Sequence, residues 1–268
     1  MSTALRADCK IIAVANQKGG VGKSALAVNL SAGLAARGKR VLLIDLDSQG
    51  DATASCGIKN QDDLELTTAS VFNLLIRDEE VENCFGKIKI EDMSFDLLPA
   101  NIELASIEMS LVNTLSRERK LSEYVYNQRK NYDFIIIDCC PSLGMLTINA
   151  LATANSVIIP VQPAYLPVKG LQQLFKTIFK VQKQINPELY IEGVVMSMVD
   201  NRSNYTKDIC RLLRDSYGEN IKIFNIQIPA SVKVAEATAE GKSIYMHDPK
   251  GKAAAAFNIL TEEVLANE

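Results

Sequence analysis

A single α/β domain, built on a mainly parallel twisted sheet with helices on both faces, is the fold this sequence predicts. Three observations predict it. Short apolar runs alternate with helix-length amphipathic segments along almost the whole chain. The apolar runs are continuous rather than interleaved with polar residues, as strands buried on both faces require. No linker, internal repeat or low-complexity tract interrupts the 268 residues, so one domain is expected over 1–268, with a core of about 10–265.

The first strand is read at 10–15, "KIIAVA". It runs into the glycine-rich turn "NQKGGVGKS", which opens a helix over 24–37 with Gly38 as its stop. Further strands are read at 40–45 ("RVLLID"), 94–99 ("SFDLLP"), 133–138 ("DFIIID"), 156–161 ("SVIIPV"), 191–199 ("IEGVVMSMV") and 222–228 ("KIFNIQI"). Between them the 3.6-residue pattern predicts helices at about 101–130, 145–154, 168–185, 205–217 and 252–266.

Composition narrows the chemistry. With 47% apolar and 23% charged residues the chain has the make-up of an ordinary globular enzyme. No apolar run approaches the ~18 residues of a membrane span, and "MSTALRADCK" lacks the apolar centre of a signal peptide, so a cytoplasmic location is expected. The six cysteines (9, 56, 84, 139, 140 and 210) show no C-x-x-C spacing and read as reduced, mostly buried thiols. One histidine, His247, and no Cys/His cluster argue against zinc. The net charge of −3 is unevenly spread. Residues 201–252 carry nine Lys/Arg against six Asp/Glu, which leaves the remainder at −6.

The glycine-rich turn carries the most specific chemistry. Gly19, Gly20 and Gly22 let backbone amides converge on phosphate oxygens, with Val21 and Ala25 supplying main chain beside them. The helix that follows adds the positive end of its dipole. Lys23 is placed to bridge β- and γ-phosphates, and the Ser24 hydroxyl to ligate Mg²⁺. ATP with Mg²⁺ is therefore the expected ligand pair. Asp45 and Asp47 end one buried strand and Asp138 another, at the edge where open α/β sheets bind ligands. Asp138 suits the Mg²⁺ shell through water. Asp45 and Asp47 lie two apart and point the same way, so one can face the metal and the other, Asp47, the attacking water. One departure stands out: the general pattern wants glycine at Gln17, and beside it stands an additional lysine, Lys18.

With these motifs the sequence resembles the deviant Walker A ATPases of the ParA/MinD group, and most of all Soj-like ParA proteins. The resemblance rests on "KGGVGKS", "DLDSQGDAT", "IIIDCCPSL", "PVQPAYLPVKGL", "VDNRSN" and "IPASVKVAEATAEGKSI", and runs from about residue 10 to 265. It implies that Lys18 crosses into a partner's triphosphate site in an ATP-bound sandwich dimer, and that hydrolysis opens that dimer. It also implies chromosome or plasmid partitioning with a ParB-type adaptor, non-specific binding of double-stranded DNA, and a nucleoid-associated location. Adenine contacts are implied near Pro229. The sequence departs from the family pattern at Ser48, Asp51, Cys140 and Ala164. Asp51 would add a negative charge near the triphosphate if its side chain faced inward.

The basic segment fits the DNA expectation. Lys207, Arg211 and Arg214 follow i, i+4, i+7 spacing on one helix stripe, with Ile209, Leu212 and Leu213 read on its other side. Arg202 precedes that helix and Lys233 lies in "IPASVKVAEA". No base-reading motif is visible, so operator recognition is not expected. Positioning of another cargo is an alternative within the same family. A MinD-like membrane role would need a cationic amphipathic C-terminus, whereas "FNILTEEVLANE" is acidic.

Overall fold

The computed structural model describes residues 9–81, 87–163, 167–200 and 202–267. Cys84 and Ala164 lie outside the described residues. The strands are β1 (Lys10–Val14), β2 (Val41–Leu46), β3 (Ile88–Ile90), β4 (Phe95–Leu98), β5 (Phe134–Cys139), β6 (Ser156–Val161), β7 (Tyr190–Val199) and β8 (Ile223–Pro229). They form one sheet in the order β3-β4-β2-β5-β1-β6-β7-β8, parallel throughout except for the β3–β4 edge pair.

Side-chain alternation along the central strands explains the unbroken apolar runs. Ile11, Leu42, Ile135 and Val157 face one core, beneath α3 (Thr68–Ile76), α4 (Leu104–Leu111), α5 (Lys120–Gln128), α6 (Met145–Thr153), α7 (Pro167–Gln184) and α8 (Asn204–Tyr217). Ile12, Leu43, Ile136 and Ile158 face the other. That core is shared with α1 (Lys23–Ala35), α2 (Asp51–Ser55), α9 (Val232–Glu240), α10 (Ile244–His247) and α11 (Lys252–Leu265). Neither face of these strands meets water, so neither needs polar residues. The chain leaves β1 toward β2 on one side, while β5 returns past β1 to β6 on the other. Ligand crevices form at such a reversal, beyond the carboxyl ends of the strands.

The seven expected strands are present to within a residue or two, and α1 stops as expected, with Gly38 left-handed at φ 76°. The helix expected over 101–130 is instead two, α4 and α5. Ser116 between them has φ 51° and its carbonyl accepts from the Arg119 amide, a turn that a continuous helix excludes. Leu212, expected on the inner side of α8, is 47% exposed, whereas Ile209 and Leu213 are buried. The five described cysteines are buried, and none of them forms a disulfide.

Candidate nucleotide site

β1 delivers the chain into the loop 15–22, and Gly22 begins α1 with φ 83° and no side-chain cap. A Cβ on Gly22 would be strained by that φ and would also come within 3.0 Å of Ser197 Oγ. Gly20 has φ 68° for the same turn. The first helical bond closes from the Leu26 amide to the Gly22 carbonyl, which leaves the amides of the preceding turn for an anion. Lys23 is buried, and its Nζ donates to the Lys18 carbonyl at 3.2 Å. The loop is anchored by Asn16, whose Nδ2 donates to the Pro160 carbonyl (2.7 Å) and whose Oδ1 accepts from the Lys18 amide (3.0 Å).

The parallel register of β2 and β5 sets Asp45 directly opposite Asp138, both fully buried. Their partners differ. Asp45 Oδ2 accepts from the Thr53 amide (2.8 Å) and hydroxyl (2.7 Å), and its Oδ1 accepts from the Asp47 amide (3.1 Å). Neither oxygen of Asp138 closes a hydrogen bond with a described residue. Burial pushes Asp45 up to about 6 despite the Thr53 donors. Burial and the neighbouring Asp45 charge push Asp138 well up, against the nearby Ser24 hydroxyl and Lys23 ammonium, which favour its ionised form. A buried carboxylate with two unclaimed acceptor atoms, facing a serine hydroxyl at a helix start, fits a hydrated divalent cation. Where the sequence pattern suggests metal ligation at both aspartates, Asp45 is engaged by three donors and braces α2, while Asp138 keeps its acceptors open. Among the described residues no group of three or more His, Cys, Asp or Glu could hold a metal alone. A cation here must therefore be completed by Ser24, water and a phosphate.

Thr53 locks this arrangement, since its Oγ1 also accepts from the Ala100 amide at 2.9 Å. Thr53→Val is expected to orphan that buried amide and strip a donor from Asp45. The expected cost is about 2 kcal/mol, read in a thermal melt as a fall of about 4–8 °C.

Asp47 lies just beyond the end of β2, in the turn where its Oδ1 accepts from the Gln49 amide (3.0 Å). Burial, and then the Asp51 charge, raise its pKa, while Lys23 offsets them. Two cavities flank the phosphate loop. One, of about 540 Å³, is lined by Gly20, Lys23, Ser24 and Ala25 together with Pro229, Val234 and Thr238. The second, of about 550 Å³, is lined by Val21 and Lys18 together with Pro141, Gln162 and Gln173. The two lysines of the loop thus open onto different cavities. Both volumes lie in the usual range for small-molecule sites.

The structure adds groove residues that the sequence did not single out. Met198, 42% exposed with φ 55°, and Ser197 sit where the register of β7 against β8 shifts. A polar residue inside the run "VVMSMV" is their only local signal, and nothing in it specifies a left-handed methionine.

The basic candidates are not equivalent. Arg202, 92% exposed, is bidentate to Asp200 at 3.0 and 3.2 Å. Arg211 approaches Asp208 at 3.6 Å, and Lys233 pairs with Glu236 at 2.7 Å. Lys207 is exposed. Arg214 is half-buried, and its Nη2 donates to the Phe224 and Asn225 carbonyls at 3.2 and 3.5 Å, which staples α8 to β8. The expected three-cation stripe is therefore led by Lys207 and Arg211.

A family model described as "AAA domain" matches residues 9–191. The sporulation initiation inhibitor protein Soj of Bacillus subtilis is 43% identical over 96% of this chain and 99% of its own length. The chromosome partitioning protein ParA of Myxococcus xanthus is 37% identical over 97% and 89%. A crystal structure described as cobyrinic acid a,c-diamide synthase from Mycobacterium smegmatis, with ADP and magnesium, superposes with a TM-score of 0.83. It is 34% identical, covering 97% of this chain and 95% of that one. Both relatives align along nearly the whole of this chain. The chain belongs to the ParA/Soj family of partitioning ATPases, P-loop proteins of the deviant Walker A type.

Proposed function

We propose that this chain is an ATP-driven dimerisation switch that binds DNA without sequence preference and partitions chromosomes or plasmids together with a ParB-type adaptor. The observation that carries the reading is the separation of the loop's two lysines. Lys23 serves the groove of its own chain. Lys18 opens onto the neighbouring cavity and remains exposed, and in this reading it serves the groove of a second copy.

In this reading the amides of 19–25 and the Lys23 ammonium hold the triphosphate, and the base packs between Pro229 and α9. Magnesium, held by Ser24 and through water by Asp138, supplies charge neutralisation at the β- and γ-phosphates. Asp47 orients the attacking water. Turnover is slow until the adaptor engages. Because α9 contributes Val234 and Thr238 to the groove and carries Lys233 on its exposed side, nucleotide occupancy and the DNA-facing surface share one element.

Lys207, Arg211, Arg202 and Lys233 form the proposed DNA face, with Arg214 supporting α8 from behind. Their ion pairs are surface pairs, weak enough for phosphates to displace. The test is a gel shift of non-specific duplex at low salt, with ADP against a slowly hydrolysed ATP analogue. Retention only with the analogue is expected, and equal retention with ADP would sink the switch. Lys207→Glu with Arg211→Glu should weaken retention at least tenfold at about 50 mM salt without altering nucleotide affinity.

A membrane-recruited role is less well supported. The C-terminal helix α11 buries Phe257, Leu260 and Val264 in the core, and its Glu262 is paired with Arg37. Its apolar face is not available to lipid. No described helix is long and apolar enough to cross a membrane. A cytoplasmic, nucleoid-associated location accompanies the proposal.

A further inference from the structure

Asp51 is the first residue of α2 and lines the same groove as Lys23 and Ser24. Its carboxylate is exposed and has no hydrogen-bond or ion-pair partner among the described residues. The one bond made to Asp51 runs from Ser55 Oγ to its backbone carbonyl, at 2.6 Å. Asp51 opens α2 directly after the turn in which the Gly50 amide bonds the Asp47 carbonyl, and it shares the groove lining with Lys23 and Ser24. Pro229, Val234 and Thr238 line the same groove and carry no charge. Among the described residues lining the groove, Lys23 is the single cation.

A bare carboxylate in water costs little. Once a polyphosphate displaces that water, the carboxylate faces like charge across a partly screened gap. The repulsion rises with each phosphate charge. We propose that Asp51 is an affinity-determining residue that holds down the single chain's grip on the triphosphate more than on the diphosphate. Tight ATP retention then waits for a cation supplied by a second copy. The proposal rests on the ATP-switch reading above and deepens it, by making the isolated chain a weak ATP binder and the pair a strong one.

An alternative use of Asp51 is purely local. An acid at the first position of a helix is favourable to the dipole. That role would change thermal stability alone and would not distinguish ATP from ADP.

The experiment is a fluorescence titration of wild type, Asp51→Asn and Asp51→Glu with labelled ATP and labelled ADP. Mg²⁺ is held constant, the protein is kept too dilute to pair, and KCl is about 50 or 300 mM. At low salt Asp51→Asn should tighten ATP about five- to tenfold and ADP about two- to threefold. Both gains should shrink at high salt, and Asp51→Glu should track wild type. Equal affinities for wild type and Asp51→Asn, or an equal gain for both nucleotides, would overturn the role given to Asp51 and leave the switch intact. Failure of every variant to bind either nucleotide would overturn the ATPase reading itself, and this proposal with it.

Discussion

Lys18→Ala is expected to leave ATP bound to the single chain while weakening ATP-dependent dimerisation about a hundredfold or more. The argument begins in the loop. Among the described residues, Lys18 hydrogen-bonds to its own chain through its backbone alone, taking the Lys23 ammonium on its carbonyl and giving its amide to Asn16. Removing its side chain therefore leaves the phosphate cradle in place. In a face-to-face pair two polyanionic grooves approach one another, and each gains a cation only if the partner brings it. Truncating one member of a desolvated charge pair costs about 2–5 kcal/mol, and a symmetric pair loses that contact twice, which places the expected loss above a hundredfold in the dimer constant. Sedimentation with a slowly hydrolysed analogue reads this directly. A normal dimer in the variant would remove Lys18 from the interface. A conservative Lys18→Arg should restore part of the association, since charge rather than shape is the demand.

How much of this was legible beforehand follows from which interactions are local. The loop could be read because backbone geometry demands glycine, and because a helix start with free amides recurs wherever phosphates bind. Asp45, Asp47 and Asp138 could be placed at or just beyond the carboxyl ends of neighbouring strands because each ends a buried apolar run. What the letters could not show was the division of labour between Asp45 and Asp138. It depends on Thr53, which reaches Asp45 and the Ala100 amide at once, and on the register that sets β2 beside β5. Arg214 was misleading for the same reason. Helical spacing puts it with Lys207 and Arg211, but the carbonyls of β8 that claim it come from a strand adjacent only in space. The break at Ser116 was hidden because no proline or glycine marks it. Asp51 lay between these cases: a charge near the groove could be anticipated, but its direction required the fold.

Asp47→Ala is expected to lower ATP turnover about 10²- to 10³-fold, the range typical for loss of a positioned proton acceptor or water-orienting group, while the ATP-bound dimer persists. The geometry separates this residue from its neighbours. Asp45 is engaged by Thr53 and by the Asp47 amide, so its loss would unseat α2. Asp138 has open acceptors toward Ser24, so its loss would strike the metal shell. Among the described residues the Asp47 carboxylate accepts one hydrogen bond, from the Gln49 amide to Oδ1, and the Lys23 charge favours its ionised form. Removing it takes away a carboxylate near Lys23, so nucleotide binding should hold or tighten slightly while hydrolysis stops. The two effects together identify the role. Phosphate release would fall to near background, yet sedimentation would show dimer that outlasts wild type by the same factor as the loss in turnover. Unchanged turnover would dismiss Asp47 as the water-orienting residue. Lost turnover with lost dimer would assign it instead to the fold of the turn 47–50, whose Gly50 amide already bonds the Asp47 carbonyl at 2.9 Å.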